Sequence, residues 1–405
     1  MKKLLQKWAE SSLILRILCG LVLGAILGLT VPQWAGIGIL GQVFVGALKA
    51  IAPILVAVLV MSSLSRAKGG LGPRFRTVII LYLLTTFIAA LVAVSGSFLF
   101  PVTIKLETGE AGNLPGGLAD IFSTLLNNMV ANPVLSLTTA NYMGILFWSI
   151  IVGVAIRLTR SQTVIKFMGE LSDVVSLAVK WVIQFAPFGI LGLVFTSVSE
   201  GGLGIFADYG RLLLLLVGCM LITSLIVNPL LAFIFLRKNP YPLLWQCLKD
   251  SGLSAFFTRS SAANIPMNLA LCKKLGLDEE FYSVSIPLGS TINMDGAAVT
   301  ITVLTLAVAN TLGLEVGFGS ALLLSILATL GACGASGVAG GSLLLVPMAC
   351  SLYGIPQDIA MQAVAVGFII SVVQDSVETA LNSSGDAFFT AVAELHDRRK
   401  LNKKG

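Results

Sequence analysis

The sequence predicts an all-α membrane protein with eight transmembrane helices and two re-entrant helical hairpins. Three observations lead there. Hydrophobic residues fill 56% of the 405 positions and charged residues only 11%, where a soluble domain carries about 25% charged residues; the mean hydropathy is +0.93. The apolar residues come in blocks long enough to cross a bilayer core, which takes about 20 residues of helix. Two further apolar stretches are interrupted in the middle by small and polar residues.

Lys2, Lys3 and Lys7 precede the first apolar block, at roughly 13–32. No small-residue cleavage site followed by a polar chain comes after it, so it reads as a first span and not a signal peptide. Spans at about 38–63 and 77–101 follow, separated by a loop with Arg66, Lys68, Arg74 and Arg76. The segment 102–139 holds Pro115 and Pro133 and reads as an external loop with short helical pieces. Three more spans read at about 140–158, 174–198 and 211–236. Arg157, Arg160 and Lys166 follow the fourth span, Arg237 and Lys238 the sixth, and Arg398, Arg399, Lys400, Lys403 and Lys404 form the tail. The alternate loops carry Glu107, Glu110, Asp120, Glu200 and Asp208, with Lys105 and Arg211. This is the positive-inside pattern, and it places both termini in the cytoplasm. The net charge of +6 is thereby a topology signal, with no nucleic-acid partner. Lys49 and Lys180 lie near span ends and read as snorkelling side chains.

After Arg237 the texture changes. The stretch 240–275 is broken by Thr258-Arg259-Ser260-Ser261-Ala262-Ala263-Asn264, and the stretch 317–352 by the small residues of 331–342, including Ala339. Each half is too short to cross alone. Irregular backbone at membrane depth is tolerated only where protein or a wet cavity covers it. Each stretch therefore reads as a hairpin, and each is followed by a span, at about 283–313 and 358–395. Paired interrupted segments in two halves of a chain point to a transporter site.

The last span carries Asp375, Glu378, Asn382 and Asp386, spaced 3, 4 and 4, with Thr379 beside them. At about 100° per residue they share one helix face. Carboxylates turned to lipid would be costly, so this face meets a polar cavity and cations; a bound metal ion and a substrate ammonium are the expected partners. A solvated cytoplasmic helix end is the alternative for Glu394 and Asp386. In the seventh span, Ser290-Thr291-Ile292-Asn293-Met294-Asp295-Gly296 places an amide, a carboxylate and a glycine inside an apolar helix. Unwinding there would free carbonyls that, with a carboxylate, suit a hard cation; a polar interhelical contact from Asn293 is the plainer alternative. Ser260, Ser261 and Asn264 at the first tip offer hydroxyls and N–H groups for a carboxylate. The six cysteines show no metal-ligand spacing and the single histidine, His396, lies in the charged tail. An intramembrane zinc site or Ser–His–Asp triad therefore has no histidine to use, and an enzyme reading finds no nucleophile–base pair. A channel would need a continuous polar pore, whereas the polar residues cluster in the last 150 or so positions.

These runs, Thr258–Ser261, Asn293–Gly296, the small-residue tip at 331–342 and Asp375 through Asp386, resemble the sodium-coupled glutamate and neutral amino acid symporters, over nearly the whole chain. Residues 256–264 and 374–385 are most similar to the bacterial serine/threonine:sodium symporters of that family. The resemblance implies a glutamate-transporter-like fold with inverted repeats, a homotrimer in the bacterial inner membrane, and secondary active import of L-serine and L-threonine with Na⁺ by an elevator-like mechanism. It implies scaffold helices in 1–76, a transport-domain helix and external loop in 77–139, two scaffold helices and a transport-domain helix in 140–236, the transport core in 237–396 and a basic tail in 397–405. Substrate would meet Arg259, Ser260, Ser261, Ala339, Asp375, Glu378, Thr379 and Asn382. In this reading Asp375 takes the ammonium, and Asn382 and Ser261 hold the α-carboxylate. One Na⁺ would lie on Asp386 with backbone oxygens of Gly289, Asn293 and Asn382. A deeper one would lie on Asp295 and the Asn293 side chain with Tyr82, Thr85 and Thr86, and a third at Thr291 with backbone of the second hairpin. Members that take acidic substrates have arginine at the position of Glu378 and threonine at that of Ala297; both departures disfavour aspartate and glutamate. Other neutral or acidic amino acids are the alternative substrates.

Overall fold

Residues 12–66, 73–106, 126–333 and 340–401 of the computed structural model are described here; among them every regular element is helical. In chain order the helices are α1 (Leu13–Thr30), α2 (Gly38–Arg66), α3 (Pro73–Leu99), the short α4 (Pro133–Thr138), α5 (Tyr142–Thr159), α6 (Gln162–Gln184), α7 (Ala186–Gly201), α8 (Ile205–Ile222) and α9 (Asn228–Leu236). There follow α10 (Tyr241–Cys247), α11 (Leu253–Thr258), α12 (Ile265–Lys274), α13 (Glu279–Ile292), α14 (Asp295–Thr311), α15 (Phe318–Ala332), α16 (Val346–Ser351) and α17 (Gln357–Leu401). Among the described residues, six helical stretches are long and apolar enough to cross a membrane: Ala35–Arg66, Pro73–Leu99, Tyr142–Thr159, Ala186–Leu236, Glu279–Thr311 and Gln357–Leu401. The outer helices expose Val22, Leu23, Ile26, Ile39, Val43, Val174, Trp181, Leu214 and Leu230. An apolar face of that extent belongs against lipid tails, and the chain is a multi-pass membrane protein.

One expected span differs from the structure. The expected fifth span, 174–198, straddles a break: α6 ends at Gln184 and α7 starts at Ala186, with Pro187 at its first turn. Proline lacks the N–H that would continue the ladder, so it begins a helix more readily than it extends one. The continuous stretch Ala186–Leu236 is not one rod. Tyr209 Oη donates to Ser197 Oγ at 3.3 Å across twelve residues, which a straight helix would separate by about 18 Å. Gly202, at φ +64°, makes the turn that only glycine adopts without strain. Lys49, expected to snorkel, pairs with Asp358.

Helix α7 is gripped between α1 and α2 through glycine. A Cβ on Gly20, Gly24 or Gly28 would lie 2.2, 2.5 or 2.9 Å from the carbonyl oxygens of Pro187, Leu191 and Phe195. Both rows advance four residues per step, so the two backbones touch along a seam. On the other side of α7, a Cβ on Gly192 would lie 2.4 Å from the Gly41 nitrogen. Small residues permit this approach where no hydrophobic effect drives helices together.

Both interrupted stretches fold back on themselves. Lys274 pairs with Asp250 at 2.8 Å, joining the bases of the first, and Tyr353 Oη donates to Ser320 O at 3.2 Å in the second. Among the long helices, α14 and α17 are the most enclosed. Two apolar cores pack on them. One gathers Met294 to Val308, Leu343 to Cys350 and Ile359 to Ile370; the other gathers Phe281 to Ile286 and Ala387 to Ala393 with Phe75, Leu81 and Tyr82. The polar residues of 289–295 and 375–386 lie between them.

The seam predicts that Gly24→Ala, whose new methyl meets a backbone oxygen, destabilises the protein by about 1–3 kcal/mol, the usual cost of overpacking. Gly46→Ala, with nothing within 4 Å of its Cβ, is neutral or stabilising. The apparent melting temperatures of the two purified variants distinguish them.

Candidate ion and substrate site

Helix α13 ends at Ile292 and α14 begins at Asp295. Asn293 (φ −94°, ψ 82°) and Met294 (φ −124°, ψ 48°) are non-helical between them. An unwound pair leaves backbone groups without ladder partners, and side chains take them up: α17 meets Gly296 N and α3 meets Met294 N. Gly296 N donates to Asn382 Oδ1 at 2.8 Å. Asn293 Nδ2 donates to Asn382 O and to Asp386 Oδ1, at 3.0 Å each. Three glycines permit the contact. A Cβ on Gly289 would lie 2.8 Å from Asp386 Oδ1, one on Gly385 2.7 Å from Asn293 Nδ2, and one on Gly296 2.8 Å from the Glu378 Cα.

The structure brings Asp295, Asn293, Tyr82, Thr85 and Thr86 together. Thr86 Oγ1 lies 2.8 Å from Tyr82 O and 3.2 Å from Asp295 Oδ1, and accepts from Met294 N at 3.2 Å. Thr85 Oγ1 lies 3.1 Å from Tyr82 O and 3.4 Å from Asn293 Oδ1. The Tyr82 hydroxyl points elsewhere, to Asp386 O at 3.0 Å and Thr390 Oγ1 at 2.9 Å. Asp386 is wholly buried and its Oδ2 has no partner. Glu394 is likewise buried, accepting Asp278 N with both oxygens at 3.0 Å. The solvated-end alternative for these two carboxylates does not hold. Thr291 stands apart from this group, its hydroxyl spent on Leu288 O at 2.7 Å.

Asp375 and Arg259 form a buried ion pair, Nε to Oδ2 at 2.7 Å. Sequence reasoning expected a metal ion or a substrate ammonium on Asp375 and placed Arg259 only near the substrate. Arg259 caps α11 in the left-handed conformation, φ 52°, a position that costs a non-glycine residue about 1–2 kcal/mol and carries its side chain toward α17. Its Nη1 has no partner. Gly340 N donates to the other Asp375 oxygen at 3.2 Å, so both hairpins meet at this carboxylate. Thr379 bonds back to Asp375 O at 2.7 Å. Ser261 is buried and Ser260 half-buried beside Arg259. Ala339 and the rest of 334–339 lie outside the described residues.

Glu378 is more enclosed than its place in the stripe indicates. Its Oε2 accepts from Thr300 Oγ1 at 2.7 Å, Ser342 Oγ at 2.8 Å and Gln374 Nε2 at 2.6 Å. Sequence reasoning missed Thr300, Gln374 and Ser342 in this role; Gln374, one turn before Glu378, was the readable signal. Asn264, expected to serve a carboxylate, instead donates to Ser383 Oγ at 2.8 Å, and Asn268, which was missed, does so at 3.1 Å, tying the first hairpin to α17; also missed was Asn228, which donates to Asp295 Oδ2 at 3.0 Å.

A multi-pass helical protein with an unwound helix, two folded-back hairpins and a buried carboxylate face defines a membrane transporter. The family profile described as the sodium:dicarboxylate symporter family matches residues 13–395, and the chain belongs to that family. It is 57% identical over 396 residues to a protein of Streptococcus agalactiae named serine/threonine transporter SstT, covering 97% of this chain and 98% of that one. A Streptococcus thermophilus protein of the same name is 56% identical over the same shares. One from Bifidobacterium adolescentis is 57% identical, covering 95% of this chain and 90% of its own.

Removing one partner of a buried ion pair leaves the other charge uncompensated, at a cost of about 3–5 kcal/mol. Arg259→Met and Asp375→Leu each lower the melting temperature, and the double variant recovers most of the loss. A double-mutant cycle on thermal unfolding in detergent measures the coupling; additive losses would show that the pair contributes nothing.

Proposed function

We propose that the chain is a secondary active importer of L-serine and L-threonine, driven by Na⁺ symport through elevator-like alternating access. The observation that carries this reading is the Arg259–Asp375 pair with its unpartnered Nη1. A zwitterion is the complement of such a pair: its ammonium suits Asp375 and its carboxylate suits the free guanidinium edge, with Ser260, Ser261 and Asn382 close by. Charge-assisted bonds of this kind are short and strong in a site shielded from water. Binding would exchange one internal ion pair for two to the ligand.

Sodium has three places in this reading. Asp386 lies beside Gly289 and Asn293 through Oδ1 and has a buried, unpartnered Oδ2; the carbonyls of Gly289, Asn293 and Asn382 are hard ligands. Asp295 with the Asn293 side chain, Tyr82 O, Thr85 and Thr86 forms the deeper one, and Thr291 with backbone of the second hairpin a third. Asn293 touches both of the first two and Asn382 touches substrate and the unwound segment, so ion and substrate binding share parts. Coupling in such a site is a reciprocal binding energy.

Selectivity follows from Glu378 and Ala297. A carboxylate held by Thr300, Ser342 and Gln374 repels an acidic side chain, and Ala297 offers it no donor; a small hydroxylated side chain fits. The wider architecture in this reading is eight spans and two re-entrant hairpins in inverted repeats. Scaffold helices in 1–76 and 140–236 stand against the transport elements of 77–139 and 237–396, in a homotrimer of the bacterial inner membrane with both termini cytoplasmic.

Proteoliposomes with an inward Na⁺ gradient accumulate labelled serine above its equilibrium level, and unlabelled threonine competes; equilibration without accumulation would sink the reading. Glu378→Gln removes the charge and keeps an acceptor. Aspartate, a poor competitor of wild-type serine uptake, then competes at least about tenfold better, the effect of about 1.4 kcal/mol of relieved repulsion. Unchanged competition would remove Glu378 from the selectivity argument.

A further inference from the structure

Asn228 has no part in the ligand sets above. It sits in the apolar run Thr223-Ser224-Leu225-Ile226-Val227-Asn228-Pro229, where the helix widens to a π turn over Thr223–Val227. Pro229 accounts for that turn. It cannot donate to Leu225 O and its ring crowds that carbonyl; the freed Leu225 O accepts instead from the Tyr241 hydroxyl at 3.0 Å. A π turn adds one residue and rotates the helix register by about 100°. Asn228 N–H bonds to Thr223 O, and the side chain is delivered to Asp295.

Once there, the amide is only half satisfied. Nδ2 donates to Asp295 Oδ2 at 3.0 Å, while Oδ1 has no partner although the residue is 2% exposed. A buried acceptor left open calls for a donor or a cation. Amide nitrogen and oxygen exchange places by a half-turn about χ2. With Oδ1 toward Asp295 Oδ2 the two oxygens repel, unless a cation lies between them.

We infer that Asn228 is a ligand of the deep cation: its amide donates to Asp295 when the site is empty and turns to present Oδ1 when Na⁺ enters. The inference rests on the reading of Asp295, Thr86 and Thr85 as a Na⁺ site. It makes the π turn a device for supplying one more neutral oxygen to a small cation, without adding a second buried charge.

The test compares Asn228→Leu, Asn228→Asp and Thr86→Ala in the full-length protein. Na⁺ titrations of serine uptake in proteoliposomes are paired with Na⁺-induced thermal shifts of the purified protein, which require no transport. Asn228→Leu raises the Na⁺ half-saturation about tenfold or more, the usual loss at a metal site, with the serine KM at saturating Na⁺ unchanged. Asn228→Asp keeps an oxygen ligand and adds a carboxylate beside Asp295, so it binds Na⁺ at least as tightly as the wild type. If Asn228→Leu leaves the Na⁺ titration unmoved while Thr86→Ala shifts it, this inference is overturned and the deep site stands. If Asn228→Asp is as weak as Asn228→Leu, the amide serves Asp295 only as a donor and the inference again fails. If the wild type shows no Na⁺ dependence in either measurement, the functional reading itself falls, and this inference with it.

Discussion

Polar groups at the centre of this protein lie where water cannot reach them, and everything around them is arranged to satisfy them. Asn293 shows how. Its helix ends there, with its N–H still on Gly289 O at 2.8 Å, and its side chain is clasped by α17 through Asn382 O and Asp386 Oδ1. An unsatisfied buried amide costs about 1–3 kcal/mol, so the break persists only while α17 supplies these partners. The glycines at 289, 296 and 385 let the two helices come close enough to do so. Among the atoms left without partners are Asp386 Oδ2, Arg259 Nη1 and Asn228 Oδ1, along with Asn264 Oδ1, Asn268 Oδ1, Thr302 Oγ1 and Gln374 Oε1.

The packing has a division of labour. Around α7 glycine rows bring backbones into contact, a tight and unpolarised join. Around α17 the contacts are hydrogen bonds between side chains and unwound backbone, which can be exchanged for a ligand's. The hairpins meet the last helix in the second way. The first does so through Asn264, Asn268 and Arg259, the second through Gly340 and Ser342. Asp375 and Glu378 are thus points where both interrupted stretches join the last helix in one hydrogen-bond network.

Much of this was legible in the sequence. The apolar blocks, the two interruptions and the face Asp375–Glu378–Asn382–Asp386 follow from helix geometry and the cost of polar atoms in lipid, which are local properties. Asn293-Met294-Asp295-Gly296 was readable as a break for the same reason. The Gly20, Gly24, Gly28 row was equally local and went unread, because its meaning depends on which helix lies against it. The fifth span was misread because a hydropathy block has no record of Phe185-Ala186-Pro187 as a joint.

What the sequence by itself determined is that this chain is a helical membrane protein with two interrupted apolar stretches and a carboxylate face near its end. The energy of apolar residues in lipid and the 3.6-residue turn depend on nothing distant. Only the tertiary structure decided partners. Arg259 reaches Asp375 across 116 positions, Glu378 is held by Thr300 and Ser342, and Asn228 comes to Asp295 from another helix. Each of these pairings depends on how helices far apart in the chain are turned toward one another, and spacing along one helix carries no information about that rotation.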